Sequence, residues 1–363
     1  MSPSISIRIN GEEFLDFKSA NVQMDMEEFA RSFSFEFSDK WIKNRLRQLP
    51  FAEEDPCEVF VHGTKVIDGF IDDVGITYGP RMHKLTVSGF AWPQDLVACS
   101  AVHKTGTWKN GTILTIAKDI CQPFGVGVQV TDPTIIPQVS MPFPKWSIED
   151  EETAFECVNR MAKTLGLFLM TNETRDLLVA KPSKVMFPSA IVYGPKGNVI
   201  EGQRNGRWRD RHSYYLVKSQ TAGDDTWYGD QAGKGFYREN DDQVRRYRPL
   251  IIVSDGAGSK QELETRAKWE RNTRAGRSRR LVYTLQGFRD PATLKLWPVN
   301  QLVRVEDPMV DTQDNLIIIG VNFSLAASGG EKTTIEVGRA EAFDVLSPPP
   351  KPPKKKKGAW SLW

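Results

Sequence analysis

The sequence predicts a mainly β protein that contains two copies of an antiparallel module and a smaller α+β insertion. Three observations support this prediction: two widely separated stretches share one order of short strands, their residues alternate between apolar and polar, and a stretch of helical periodicity lies between them. Alternation is typical of a half-buried antiparallel strand, because successive side chains point to opposite faces of the sheet. A duplicated module predicts internal pseudo-symmetry, which proteins commonly use to build rings or tubes.

Each copy of the module contains three strand-like segments. In both copies a short apolar strand precedes a strand that is entered through a glycine or polar turn, and the third strand ends in Gly-Phe-Ala or Gly-Arg-Ala. An aromatic-rich strand also precedes each copy, at residues 31–38 and 211–219. A chance similarity between two β-meanders remains an alternative at this point. The segments are residues 57–63, 68–76 and 83–91 in the first copy and residues 301–307, 315–325 and 331–340 in the second.

Length and composition indicate a globular protein of ordinary charge. A chain of 363 residues is long enough for two or more compact units. The net charge of +2 creates no overall field that would favour nucleic acid or a membrane as a partner. The sequence contains no apolar run of about 18 residues and no secretory signal at its start, so we expect folding in the cytosol and no stable membrane association.

The cysteines and histidines do not form a metal-binding pattern. No pair of cysteines has C-x-x-C spacing, and the four histidines are scattered along the chain. In a cytosolic chain of this size the cysteines are expected to be small buried apolar residues rather than disulfides. We therefore expect no metal and no cofactor; the cysteines concerned are Cys57, Cys99, Cys121 and Cys157.

The chain divides into four predicted parts. The first tube-like β-domain covers residues 1–101, and an α+β insertion covers residues 102–190. A second tube-like β-domain covers residues 191–346 and contains an inserted helix near residues 259–278. The last part, residues 347–363, is a tail rich in proline and lysine.

The insertion is predicted to contain two helices followed by a β-hairpin at residues 167–182. Residues 107–126 carry one helical stripe of apolar residues, with Asn110 as the candidate N-cap. Residues 141–170 contain a second amphipathic helix, which we expect to end at Gly166. We interpret the acidic residues 149–152 as complements of the macrodipole of this helix rather than as a catalytic pair.

The helix near residues 259–278 follows a glycine-rich loop that lacks the spacing of a P-loop. Ser259 and Glu262 instead have the spacing of a capping box. Basic residues point around this helix and are mixed with glutamates, which is more typical of a solvated or paired surface. Contact with nucleic acid remains the alternative for this helix.

The C-terminal tail combines an extended, charged segment with large apolar residues. Its prolines favour an extended polyproline conformation, and Lys354 to Lys357 repel one another. The tail nevertheless ends in Trp360, Leu362 and Trp363. We interpret it as a tether that presents an anchor peptide to another protein, with an unstructured solubilising tail as the alternative.

The sequence lacks the common catalytic motifs. It contains no G-x-S-x-G, no H-E-x-x-H, and no G-x-G-x-x-G after a strand. Four histidines are a small supply of acid–base groups for a chain of this length. We therefore expect a protein that is not an enzyme.

Six blocks of the sequence resemble, in order, the baseplate hub protein of Mu-like contractile-tailed phages. Together they extend over about residues 5–345, and the C-terminal tail lies outside the resemblance. The blocks are residues 89–101, 108–126, 151–171, 246–281, 287–308 and 316–343.

This resemblance implies a homotrimer whose two tube-like β-barrel domains per chain form a pseudo-sixfold ring. The ring would join a sixfold tail tube to a threefold central spike, contact other baseplate proteins and surround a lumen through which DNA passes. The resemblance also implies assembly in the host bacterial cytoplasm and a location in the tail baseplate of the virion.

The candidate contact residues are taken from the middle strands of the two modules and from the tail. The alternatives are a receptor- or glycan-binding tail protein, suggested by ten tryptophans, and a tail-associated cell-wall hydrolase, which lacks acid–base residues here. The candidates are Phe70, Ile71, Val74, Leu316, Ile318, Val321, Trp360 and Trp363.

Overall fold

The computed structural model describes residues 4–37, 51–79, 82–206, 208–219, 235–254, 260–326 and 329–343. The strands in the first half of these residues are β1 (Ile5–Ile9), β2 (Glu12–Phe14), β3 (Phe17–Asp25), β4 (Ser32–Phe37), β5 (Pro56–Val61), β6 (Thr64–Gly79), β7 (Met82–Ala91), β8 (Thr107–Gly111), β9 (Gly127–Val130), β10 (Phe143–Ser147), β11 (Phe168–Thr171) and β12 (Asp176–Ala180).

The strands in the second half are β13 (Met186–Val192), β14 (Val199–Gly206), β15 (Tyr214–Ser219), β16 (Phe236–Asn240), β17 (Pro249–Ser254), β18 (Arg279–Gln286), β19 (Leu302–Asp307), β20 (Thr312–Ala326) and β21 (Gly330–Gly338). The α-helices are α1 (Asp95–Ala98), α2 (Ile113–Cys121), α3 (Ile136–Val139), α4 (Ala154–Thr164) and α5 (Lys260–Arg277).

One sheet of 13 strands forms the body of the described structure. Its order is β14-β18-β21-β20-β3-β4-β7-β6-β5-β1-β2, and β19 joins β13 to the side of β20. The predicted β-module is present twice in this sheet, as β5, β6 and β7 and as β19, β20 and β21. In the pairing with the third strand, a β-bulge follows Ile71 in β6 and Ile318 in β20. The predicted order of three strands thus occurs twice, and the structure adds a bulge at the same place in each copy.

The aromatic strand predicted before the second module is present, but it does not belong to the large sheet. β4, from residues 31–38, pairs with β7, but the equivalent position beside β21 is occupied by β18. Residues 214–219 instead form β15 in a separate sheet with β16 and β17. Alternation predicted a strand correctly at these residues, but alternation alone does not specify the partner of a strand.

With β4 and β3 beside β7 counted in the first module, and β18 and β14 beside β21 counted in the second, the two modules are joined edge to edge by β3 and β20. These strands pair antiparallel from Asp25 opposite Gly320 to Ser19 opposite Ala326. One hydrophobic cluster contains residues from both modules, including Phe35 and Phe323. The predicted mainly β class is confirmed, with a few helices beside the strands. The two predicted tube-like domains, however, are parts of one continuous sheet with a common core, because β3 of one pairs with β20 of the other.

The insertion packs α2 and α4 against the sheet β11-β12-β9 around a second hydrophobic cluster. The predicted hairpin is present as β11 and β12. The N-cap of α2 is Thr112, whose hydroxyl accepts from the Thr115 amide, and not Asn110 as predicted. Asn110 has a φ of 53° at the end of β8, where a short polar side chain tolerates the left-handed conformation.

The acidic residues before α4 do not lie in its first turn. Thr153 caps this helix in a capping box with Glu156, and Gly166 follows its end with a φ of 72°, as predicted. Glu152 instead binds the guanidinium of Arg160 at 2.8 Å and accepts from the backbone of Glu149. The carboxylate therefore stabilises the turn before α4 and the side of the helix.

The predicted boundary between the insertion and the second β-domain lies at residue 190. β13 spans this boundary and pairs parallel with β19 of the large sheet. In the second half of the chain, α5 packs on the small sheet of β15, β16 and β17 through Leu263, Ala267 and Val217. The residue predicted to cap α5, Ser259, lies outside the described residues.

Candidate assembly interface

The structure places four of the predicted contact residues in the core of the large sheet. Ile71, Leu316, Ile318 and Val321 are all buried and belong to the main hydrophobic cluster. Their side chains pack inside the chain and are not available to a partner. Alternation does not predict which apolar residues lie in the core, because an apolar residue in an alternating strand can face either the core or an interface.

The other predicted contact residues lie nearer the surface or outside the described residues. Phe70 is half-buried, and its ring meets the ring of Trp92 edge-on at 6.1 Å. Val74 is half-buried at the margin of the main cluster. Trp360 and Trp363 lie outside the described residues, so their anchoring role stays a prediction.

The junction between β3 and β20 is an interface built into the chain. Val22 and Phe323 face each other across it and are both fully buried. The ladder extends beyond the strands, because the Met26 amide donates to the Ile319 carbonyl at 2.9 Å. This junction shows how one module adds to the edge of the other through backbone hydrogen bonds and a shared apolar face.

Charged residues surround the Asp25 end of this junction. Arg280 of β18 donates to Glu27 at 2.6 Å and to Glu336 at 2.8 Å. Although burial opposes the charge of Arg280, these hydrogen bonds raise its pKa. Burial and the nearby carboxylates of Glu27 and Glu336 raise the pKa of Asp25 to about 6.

A second set of polar contacts joins the modules at the turn between β5 and β6. The imidazole Nε2 of His62 lies 3.0 Å from a carboxylate oxygen of Glu331. Arg289 donates to the His62 carbonyl at 3.1 Å and to the Thr64 hydroxyl at 3.0 Å. The rings of His62 and Phe288 are 5.3 Å apart, so the turn is held by both polar and apolar contacts.

Several strand edges in the described part of the chain lack a partner strand, and two of them lie at β6 and β14 of the large sheet. The first is β6 beyond Ile71, which pairs with β7 on one side only. The second is β14, which pairs only with β18 and is exposed at all but its first residue. Large apolar side chains mark both edges: Ile76 is 56% exposed, Tyr78 is 79% exposed and Ile200 is 50% exposed. Open edges with apolar residues are typical of strands that pair with another chain.

β14 has no counterpart among the strands predicted from the sequence. Its residues after Ile200 are polar or glycine, so the strand has no alternating apolar pattern. The signal that was available is the combination of Val199 and Ile200 at the start of an otherwise polar segment. Ile76 and Tyr78 belong to a segment that was predicted as a strand, but their exposure follows only from the missing neighbour.

Cysteines and possible metal ligands are the remaining candidates for a chemical site in the described residues. No group of three or more histidine, cysteine, aspartate or glutamate side chains in these residues is arranged to hold a metal ion. Three cysteines are buried, as expected, but Cys99 is exposed, which corrects the prediction for this residue. Burial raises the pKa of Cys57 and Cys121 to about 12 and that of Cys157 to about 11, so these thiols are poor nucleophiles.

None of the helices in the described part of the chain is long and apolar enough to cross a lipid bilayer.

Family comparisons match three successive parts of the chain. Residues 4–90 match the family "Mu phage baseplate assembly protein GpP-like, N-terminal". Residues 93–181 match "Baseplate hub protein gp44-like, second domain". Residues 259–346 match "Mu phage baseplate assembly protein GpP, fourth domain".

Individual relatives cover nearly the whole chain. The baseplate hub protein gp44 of Escherichia phage Mu is 26% identical over 355 residues, which are 95% of this chain and 90% of gp44. The crystal structure of the 43 kDa tail protein of prophage MuSo2 from Shewanella oneidensis is 29% identical with a TM-score of 0.82. That match covers 94% of this chain and 99% of the tail protein.

A tail protein from Neisseria meningitidis MC58 has the same fold. Its TM-score is 0.75 at 19% identity, with 94% of this chain and 98% of the other covered. The order of matched domains and the near-complete coverage agree with the resemblance found in the sequence. The chain is therefore a relative of the baseplate hub proteins of Mu-like phages, and this kinship supports a structural role in a phage baseplate.

Proposed function

We propose that the chain is the hub subunit of a contractile-tail baseplate and acts as a homotrimer. Each subunit contributes two similar β-modules, so three subunits supply six modules in a pseudo-sixfold ring. Such a ring satisfies two symmetries, because a sixfold tail tube can seat on six modules and a threefold spike can seat on three subunits. The tube and spike proteins are the proposed partners, together with other baseplate proteins.

The observation that carries this proposal is the edge-to-edge union of the two modules through β3 and β20. It supports a ring because one module already uses the edge of the next as its partner, and the chain still has open edges at β6 and β14. In the proposed ring the strands close into a barrel whose lumen is the DNA path during ejection. The role is mechanical, no enzymatic step is assigned to the chain, and its place is the tail baseplate of the virion after assembly in the host cytoplasm.

The first test is the solution mass of the purified chain, alone and mixed with its candidate spike protein, measured by light scattering. A mass of three times 41.0 kDa in either sample is the expected result. Electron-microscope projections of that species should then have six similar densities around a central hole. A strict monomer in both samples would contradict the ring and would favour a receptor-binding role instead.

A further inference from the structure

We propose that neighbouring subunits of the ring pair β6 of one chain with β14 of the next, in the register of the β3–β20 junction within each chain. The occupant of each open edge is thus a second copy of this chain. This inference rests on the proposed trimer and adds the strands and residues through which its subunits meet.

The first argument is that the two modules correspond residue by residue up to the open edges. The bulge in β6 and the bulge in β20 align Asp73 with Gly320, and they align the residues that follow in the same order. Even the hydrogen bonds before the bulge are repeated. The amide of Glu54 donates to the Ile71 carbonyl, and the amide of Asn300 donates to the Ile318 carbonyl.

The same correspondence aligns β14 with β3. β4 and β18 take equivalent places beside β7 and β21, so their own partners β3 and β14 are equivalent as well. A bulge follows Phe17 in β3 and Val199 in β14, opposite the equivalent residues Phe37 and Leu285. This alignment matches Ser19 to Glu201 and the later residues in order.

The junction within the chain then predicts the register between chains. Because β20 beyond its bulge pairs with β3, β6 beyond its bulge should pair with β14 in the same antiparallel sense. The predicted opposite residues are Val74 with Gly206, Gly75 with Asn205, Ile76 with Arg204, Thr77 with Gln203, Tyr78 with Gly202 and Gly79 with Glu201.

The side chains of the two edges are complementary in this register. Tyr78 faces Gly202 as Leu325 faces Ala20, so a large residue meets a small one in both junctions. Thr77 faces Gln203 as Ser324 faces Asn21, which again places a hydroxyl opposite an amide. No two like charges are opposed. In the known junction the equivalents of Ile76 and Tyr78 lie on the same face of β20, where Phe323 is fully buried.

The charges near the two edges also have opposite signs. Asp72 and Asp73 lie at the start of the open part of β6, and burial together with Asp72 raises the pKa of nearby Asp95. On the other side, burial together with Arg204 and Arg211 lowers the pKa of Arg279. In the predicted register the Asp72–Asp73 end of β6 meets the Arg204 end of β14, and this opposition of charge favours head-to-tail association over pairing of two identical edges. Head-to-tail contacts form a closed ring when the rotation between subunits closes.

The decisive experiment places a disulfide across the predicted register. The variant is Thr77→Cys with Gln203→Cys in the full chain, with Cys99→Ser to remove the exposed thiol. Directly opposite residues of antiparallel strands have Cα atoms about 4.5–5.5 Å apart, which suits a disulfide. The matched control is Thr77→Cys with Arg204→Cys, in which the second cysteine points to the other face.

After mild oxidation, non-reducing gels should contain a covalent trimer as the largest species. The cross-linked fraction should exceed that of the control by at least about tenfold. A trimer by light scattering without this cross-link would overturn the strand pairing and leave the proposed hub function standing. A monomer in every condition would overturn both, and a cross-link within one chain or a ladder beyond three chains would overturn the predicted ring contact.

A lysine substitution with a compensating glutamate provides an independent test that does not depend on oxidation. Ile76→Lys places a cation opposite Arg204 and should raise the dissociation constant of the trimer by roughly fivefold or more. Arg204→Glu in the same chain should restore association. The control is Ile251→Lys, since Ile251 is also 56% exposed but lies in the small sheet. Equal effects of the two lysine substitutions, or no rescue, would contradict the register.

Discussion

At the β3–β20 junction, the close approach of the two strands places the carboxylate of Asp25 where its ionisation is unfavourable. Gly320 lies directly opposite Asp25, and a Cβ atom at Gly320 would come within 2.6 Å of the Asp25 carboxylate. The carboxylate also accepts a hydrogen bond from the Glu27 amide at 2.6 Å. Asp25 therefore shapes the turn after β3, although burial and neighbouring acids oppose its charge.

We expect Asp25→Asn to stabilise the chain at neutral pH. The pKa of Asp25 is about 6 in the folded chain against an ordinary 3.8, so its ionisation costs folding free energy above pH 6 and costs nothing below pH 3.8. The gain should be about 1–2 kcal/mol at pH 7–8, after allowance for partial solvent screening. It should shrink as the pH falls towards 4. Thermal unfolding of both proteins across this range measures it, and a loss of stability at every pH would contradict the prediction.

Gly69→Ala should destabilise the first module. A Cβ atom at Gly69 would lie 1.9 Å from the Phe90 carbonyl oxygen of the paired strand, so β6 and β7 would have to separate. The unfolding free energy should fall by about 2 kcal/mol, as for other overpacked sites. Gly79→Ala is the control in the same strand, because nothing lies within 4 Å of its added Cβ. Equal denaturant midpoints for the two variants would contradict this explanation.

At the level of elements, the insertion is tied to the first module by one cation whose side chain is only 15% exposed. Arg31 precedes β4 and donates to the Val66 carbonyl of β6 at 2.7 Å and to the Thr171 carbonyl of β11 at 3.3 Å. Burial lowers its pKa to about 10, and the nearby carboxylate of Glu173 partly offsets this effect. The guanidinium thus joins three elements that are distant in sequence.

Arg31→Met should loosen the contact between the insertion and the large sheet. The substitution leaves two carbonyls without their donor, which should cost about 1–3 kcal/mol. Hydrogen exchange should become faster in β11 and β12 before it changes in β20 and β21. Arg175→Met is the control, because Arg175 also joins the insertion to the first module, through Asp68 at 2.8 Å, but is 43% exposed. Its effect should stay below about 1 kcal/mol, and the reverse order would contradict the role of Arg31.

Some of the strands and helices could be predicted from the sequence, and others could not. The strands β5 to β7 and β19 to β21 follow from alternation, and α2 and α4 follow from helical stripes of apolar residues. β14 could not be predicted, because a strand that is exposed over most of its length has no apolar period. The contact residues Ile318 and Val321 were misassigned for a related reason: a pattern reports which residues avoid water, and either a core or a partner satisfies that requirement.

At the level of the whole molecule, internal symmetry and the C-terminal tail have separate proposed roles. The modules and their edges are proposed to build the ring, whereas the tail has no counterpart in the repeated module. Removal of the tail should therefore leave the ring interfaces unchanged.

We expect deletion of residues 347–363 to preserve the trimer and to weaken one baseplate contact. Light scattering should give the same mass as for the full chain, while pull-down with the candidate tube and spike proteins should identify the weakened contact. Trp360→Ala with Trp363→Ala should reproduce the loss if the tryptophans are the anchor. Loss of trimerisation in the truncated chain would count against a tether.

The pairing of β3 with β20 has a consequence for folding during synthesis on the ribosome. These partners lie near opposite ends of the chain, so the sheet cannot be completed until almost all of the polypeptide has been made. Contacts of such large sequence separation form slowly, because a long loop must close before they stabilise the fold. During this interval the nascent chain exposes the edge of β3 as well as the edges of β6 and β14 that are proposed to pair between subunits. Correct assembly therefore requires that each chain completes its own sheet before it contacts a neighbouring chain. On polysomes, where incomplete nascent chains are close together, we expect mispaired strands between chains to compete with ring formation.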